Sequence, residues 1–147
     1  MKKLLVSACL LGCGCRYDGG SCRDERVLAL KDEWDLIPVC PEQLGGLGTP
    51  RAPSERIGEG VFSVDGTDVT EQYLNGAAAA LYIAETLGAD TALLKAKSPS
   101  CGKGLIYDGT FTGNKIPGNG VTAQLLLEHD FHVYTEEETE ILSTDGV

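Results

Sequence analysis

Six cysteines in 147 residues are the first chemistry this sequence offers. Cys9 follows the apolar run 4–8, Cys40 follows the run 36–39, and Cys101 comes shortly after the run 91–94. Buried cysteines often do no more than pack, but three at equivalent places in a repeating pattern argue against packing alone. Thiolates are soft ligands suited to zinc or iron–sulfur chemistry. Closed structural sites usually take four protein ligands, so three would leave a position for a substrate. Small residues and helix starts around Cys40 and Cys101 should also favour the thiolate form. The spacing Cys9-x3-Cys13-x-Cys15 misses the C-x3-C-x2-C pattern by one residue. Cys15 reads as a reserve thiol, and Cys13 and Cys22 as incidental. The lack of Cys-x-x-Cys or zinc-finger His spacing argues against a zinc finger. His129 and His132 read as structural or exposed.

Other reactive side chains lie near these thiols in sequence. Glu42, two residues after Cys40, should face the same crevice, where a partly buried carboxyl serves as acid and base. Its plainer role is a helix-start Glu that satisfies the dipole. Ser98 and Ser100 flank Cys101 and could hold a substrate edge or relay protons, or simply build a turn. Asp18 and Ser21, in the loop after the first apolar run, are further pocket candidates. Arg51 is a rare cation in an acidic chain, placed to orient an anionic group or to pair with a carboxylate.

These residues need a scaffold that gathers them. Run 4–8 reads as a strand buried on both faces and 35–39 as a second buried strand, with 91–94 and 131–134 as two more strands. Residues 23–31 look helical. The clearest helix runs over 70–87, with Asp68 and Glu71 as a capping box and Leu74, Ala77, Ala78, Leu81 and Ala84 as its apolar stripe. Gly88 stops it. Segments 121–129 and 136–142 read as two more helices. Residues 44–59 and 102–120 are rich in Gly and Pro and read as irregular excursions. Residues 61–64 with Asp65-Gly66 resemble an edge hairpin. Strands alternating with helices imply a parallel sheet. The expected fold is one α/β domain over 1–147: three-layered, doubly wound, mainly parallel, with a small hairpin insertion. Ligands of such sheets bind beyond the carboxyl ends of the strands, where Cys9, Cys40 and Cys101 would meet.

Composition narrows the partners. Twelve Lys and Arg against 22 Asp and Glu give a net charge of −10, with no basic patch, which argues against a nucleic-acid polymer. Residues 1–13 imitate a short secretion signal, yet removing them would delete the best first strand. The apolar stretch is also far below the roughly 20 residues that span a bilayer. The expectation is a cytoplasmic protein with no membrane partner, acting on a small molecule. The oligomeric state is left open, a homodimer included.

The motifs Ser7-Ala8-Cys9-Leu10-Leu11-Gly12, Cys15-Arg16-Tyr17-Asp18-Gly19, Val39-Cys40-Pro41-Glu42 through Gly46, Thr49-Pro50-Arg51, Lys97-Ser98-Pro99-Ser100-Cys101-Gly102 and Pro117-Gly118-Asn119-Gly120-Val121-Thr122 share one pattern. In this order they resemble a bacterial family, once a domain of unknown function, that includes thiouracil desulfidase. The resemblance runs over about residues 3–135. It implies a [4Fe-4S] cluster held by Cys9, Cys40 and Cys101. It also implies non-redox desulfuration of a small thiolated heterocycle, 2-thiouracil giving uracil and hydrogen sulfide. On this hypothesis the substrate sulfur takes the open iron, with Glu42, Ser98 and Ser100 as catalytic groups and Ser21, Asp18 and Arg51 near the substrate. Two other classes use the same thiols: a non-enzymatic iron–sulfur or sulfide-trafficking module, and a zinc-dependent hydrolase of a small amide or thioamide.

Overall fold

The computed structural model describes residues 1–143, so the last four residues of the expected 1–147 domain lie outside the described ones. Four parallel strands form the main sheet: β1 (Lys3–Ser7), β2 (Asp35–Val39), β5 (Thr91–Leu94) and β8 (His132–Thr135), in the order β2-β1-β5-β8. The register pairs Leu5 with Ile37 on one side and with Ala92 on the other. The chain steps outward from β1 to β2, then returns to the opposite side of β1. Right-handed crossovers therefore place the first connection on one face and the later ones on the other. Leu4, Val6 and Leu93 point to the first face, against Val27 and Leu30 from α1 (Glu25–Leu28) and the following 3-10 turn, and against Leu142 from α5 (Thr139–Leu142). Leu5, Ala92, Leu94 and Val133 point to the second, against Ala80, Leu81 and Ala84 of α3 (Thr70–Leu87) and Ala123 and Leu126 of α4 (Val121–Glu128). The period-two alternation of a strand thus fills two cores.

Several expectations change in detail. Residues 44–59 are not wholly irregular: β3 (Ser54–Ile57) pairs antiparallel with β4 (Gly60–Ser63) across a turn at Gly58-Glu59, and the expected reversal at Asp65-Gly66 follows it, with Phe62 bridged antiparallel to Asp68. A second small ribbon, β6 (Leu105–Tyr107) with β7 (Lys115–Pro117), lies inside the other Gly-rich stretch. The capping box on α3 does not form. Val69 is the N-cap and makes no side-chain cap, while Asp68 accepts from the Thr70 N–H at 2.9 Å in a local turn. The buried stripe of α3 is also rotated. Tyr73, Gly76, Ala77, Ala80, Leu81 and Ala84 face inward, whereas Leu74 is 53% exposed and Ala78 is exposed. Alanine and glycine fit where backbones approach closely, so size overrides hydrophobicity in choosing this face.

That close approach positions the site. Pro41 opens the one-turn helix α2 (Pro41–Leu44) directly after Cys40. A Cβ on Gly76 would lie 1.9 Å from the Pro41 carbonyl oxygen, and one on Gly45 would lie 1.9 Å from that of Gln72. Two glycines therefore let α2 rest backbone-to-backbone on α3. The turn carrying Glu42 is pressed against Tyr73.

Candidate active site

Beyond the carboxyl ends of β1, β2 and β5 lies a cavity of about 430 Å³. Cys9, Cys40 and Cys101 all line it. Cys9 sits in the 3-10 turn that ends β1, and Cys40 is the N-cap of α2. Cys101 is reached through the turn after β5, where the Ser98 hydroxyl oxygen accepts from the N–H of Ser100 at 3.1 Å and of Cys101 at 3.0 Å. The Gly102 N–H bonds the Ser98 carbonyl, and the N–H groups of Thr122 and Ala123, at the start of α4, bond the Ser100 carbonyl. The Cys101 turn is thereby locked to α4.

The thiols depart from one expectation. Burial pushes two of them up rather than down: Cys101 rises to about 12, chiefly by desolvation, and Cys9 rises well above the ordinary thiol range for the same reason, with Cys101 and Cys15 adding to it. The small-residue turn around Cys101 does not offset the loss of water there. A cation in the cavity would invert this balance, because metal coordination deprotonates a thiol outright.

Glu42 has a definite environment. Its Oε2 accepts from Arg51 Nε at 3.2 Å, from Arg51 Nη2 at 3.0 Å and from the Tyr73 hydroxyl at 3.1 Å. Both side chains of the ion pair are largely buried, 9% exposed for Arg51 and 18% for Glu42. All three donors converge on Oε2, which leaves Oε1 to meet water or a ligand. Arg51 thus pairs with a carboxylate rather than standing free for an anion. It also donates to the Cys15 carbonyl at 2.9 Å and the Gly48 carbonyl at 3.1 Å. Burial raises the Tyr73 hydroxyl far above its ordinary value, and the Glu42 charge raises it further, so it stays a donor.

The other candidates separate. Ser98 lines the cavity. Ser100 does not; it is fully buried, its hydroxyl 2.8 Å from Thr122 Oγ1. Asp18 and Ser21 are exposed and absent from the cavity wall, and Asp18 closes its own loop by accepting from the Gly20 N–H at 2.8 Å. Their loop contributes Cys15, Arg16 and Tyr17 to the wall instead.

Lys95, Tyr73, Tyr107 and Phe111 also face the cavity and were missed in the sequence. Lys95 is the first residue after β5, so the strand-end rule that singled out the cysteines would also have found it. It donates to Glu136 Oε2 at 2.7 Å. Desolvation lowers its affinity for the proton, but the bond to Glu136 and that charge outweigh it, and Lys95 stays cationic. No local pattern marks Tyr73. Among the described residues no three His, Cys, Asp or Glu side chains converge to hold one metal ion. A cubane asks for something else, one thiolate per iron and therefore a wider spread. The thiols of Cys9, Cys40 and Cys101 around one cavity are a donor set that fits it. No helix among the described residues is long and apolar enough to cross a membrane.

A solved structure described as the [4Fe-4S]-dependent thiouracil desulfidase TudS superposes with a TM-score of 0.92 at 44% identity, covering 97% of this chain and 95% of that one. The uncharacterized protein YbbK of Bacillus subtilis (strain 168) is 45% identical, over 92% of this chain and 96% of its own length. The family model for 2-thiouracil desulfurase matches residues 4–138, so with its strand-end thiols around one cavity the chain belongs to the 2-thiouracil desulfurase family.

Proposed function

We propose that this protein is a [4Fe-4S]-dependent desulfidase of small thiolated pyrimidines, converting 2-thiouracil and water to uracil and hydrogen sulfide without net redox change. The observation that carries the reading is the convergence of Cys9, Cys40 and Cys101 on one cavity at the carboxyl edge of the sheet. Those three thiols would hold the cluster. When bound, it supplies a Lewis-acidic iron with a position open to the thiocarbonyl sulfur.

The chain's own groups do the rest. Glu42 Oε1 takes a proton from the water that adds to the thiocarbonyl carbon, and returns it as sulfur leaves. Arg51 and Tyr73 fix the carboxylate, so that Glu42 keeps one orientation through both transfers. Ser98 holds the Cys101 turn and presents its hydroxyl to the ring edge. Lys95 places a positive charge beside Cys9 to balance the thiolates. Tyr17, Tyr107 and Phe111 give the cavity aromatic walls matched to a planar heterocycle.

The test is anaerobic reconstitution followed by iron, sulfide and zinc determination and by 2-thiouracil absorbance. About four irons per chain with loss of the thiocarbonyl band supports the reading, and tight zinc without a cluster refutes it. Glu42→Gln separates an enzyme from a sulfide carrier: the enzyme loses turnover and the carrier keeps its cluster and its binding.

A further inference from the structure

Among the described residues two carboxylates line the cavity, Glu42 and Glu55, and only Glu42 has a role so far. Glu55 is half-buried in β3. Its Oε1 accepts from the Gly109 N–H at 2.9 Å and from the Phe111 N–H at 3.1 Å. Its Oε2 takes no hydrogen bond among the described residues. The cations on the cavity wall are engaged elsewhere. Arg51 holds Glu42 at 3.0 Å, Lys95 holds Glu136 at 2.7 Å, and Lys97 meets Glu137 at 3.6 Å. Arg16 lies over the Tyr17 ring, 5.6 Å from its centre.

The carboxylate is also fixed in direction. It ties β3 to the loop between β6 and β7, and the next residue, Arg56, fastens the same excursion by donating to the Asn119 carbonyl at 2.6 Å. Within the loop, Asp108 Oδ1 accepts from the Thr110 N–H at 2.9 Å. Phe111 stands at φ 58°. A bulky side chain keeps that left-handed backbone only where its surroundings over-determine it, as happens at ligand clamps. The bond from its N–H to Glu55 supplies part of that constraint. Two N–H groups on Oε1 therefore set where Oε2 lies, and Phe111 and Oε2 reach the cavity as one unit.

We propose that Glu55 is a specificity-determining residue, whose Oε2 accepts the ring N–H that adjoins the thiocarbonyl of the substrate. The proposal rests on the desulfidase reading and deepens it, naming the substrates as cyclic thioamides that carry this hydrogen. A carboxylate oxygen only accepts, and a ring N–H only donates. Bonds of this kind to a charged acceptor are the stronger ones. A site built to bond an N–H rejects the analogue that lacks it, because its own polar group is left unpaired. Glu42 does not fill this role, since its proton transfers serve the attacking water.

The experiment compares 2-thiouracil with its two N-methyl derivatives, one at each ring nitrogen beside the thiocarbonyl. The proteins are anaerobically reconstituted wild type, Glu55→Gln and Glu55→Ala. Glutamine keeps an oxygen for the Gly109 and Phe111 amides and puts an NH2 in the place of Oε2, whereas alanine removes both. The readouts are kcat/KM for each substrate and hydrogen exchange at those two amides without substrate. The expected result is that wild type prefers 2-thiouracil to at least one derivative by roughly tenfold or more, the size of a lost hydrogen bond to a charged group. Both variants lose most of that preference, while exchange quickens only in Glu55→Ala. The unchanged exchange in Glu55→Gln separates reading of the substrate from mere support of the loop. A preference kept in both variants, or absent from wild type, overturns the proposal and leaves the desulfidase reading standing. No turnover of 2-thiouracil by wild type overturns both.

Discussion

Replacing Tyr73 by Phe removes one oxygen from a side chain that is 2% exposed and leaves its packing intact. That hydroxyl donates to Glu42 Oε2 at 3.1 Å. A hydrogen bond to a charged group contributes about 1.5–3 kcal/mol. Arg51 still donates twice to the same oxygen, so the carboxylate is not orphaned and the low end, about 1.5 kcal/mol, applies. A domain of this size shifts by about 2–4 °C per kcal/mol, so thermal denaturation followed by circular dichroism should show a Tm about 3–6 °C lower. Turnover of 2-thiouracil should fall through kcat more than KM, because Glu42 loses one of the contacts that fix its orientation while the cavity wall is unchanged. A melting temperature within 1 °C of wild type together with unchanged kcat would refute the view that Tyr73 holds Glu42.

Other perturbations probe the remaining supports. Gly76→Ala puts a methyl group 1.9 Å from the Pro41 carbonyl and forces α2 off α3; urea denaturation should show a loss of about 1–3 kcal/mol, with weaker cluster retention. Glu55 accepts from the N–H groups of Gly109 at 2.9 Å and Phe111 at 3.1 Å, so Glu55→Ala should speed hydrogen exchange at those amides and raise KM several-fold. The metal-free protein should lose stability as pH rises above about 9. Unfolded thiols ionise there, whereas folded Cys15 and Cys101 stay neutral to about 12, so the unfolded state releases protons first. Urea midpoints at pH 7, 9 and 10 would check the slope, and Cys101→Ser should flatten it.

The frame was legible where local patterns and global fold agree. Strands at 35–39 and 91–94 and the helix over 70–87 stand at their expected bounds, because continuous apolar runs and a glycine stop have one reading each. The strand-end rule then brought three distant cysteines to one edge. What stayed hidden depends on contacts between segments. Strand β3 holds Ser, Glu and Arg before Ile57 and shows its character only beside β4. Tyr73 looked like an ordinary helix residue, and its link to Glu42 exists only because two glycines let α2 and α3 touch. Ser100 is buried behind the cavity wall, its hydroxyl on Thr122 and beside the Cys101 thiol, a placement that spacing does not encode. Asp18 and Ser21 were placed in the right loop, but the loop turns Cys15, Arg16 and Tyr17 inward in their stead.

Trp34, the chain's only tryptophan, stands just before β2, at the edge of the sheet opposite the cysteines, and its indole donates to the Leu142 carbonyl at 3.0 Å. Five strand residues at about 3.3 Å each put roughly 16 Å between that indole and the cavity edge. The molecule therefore carries two independent reporters at its two ends. Tryptophan emission follows the docking of the final helical turn, and visible absorbance follows whatever the thiols hold. Their order of loss on heating would tell whether the thiol-bearing edge gives way before the rest of the sheet.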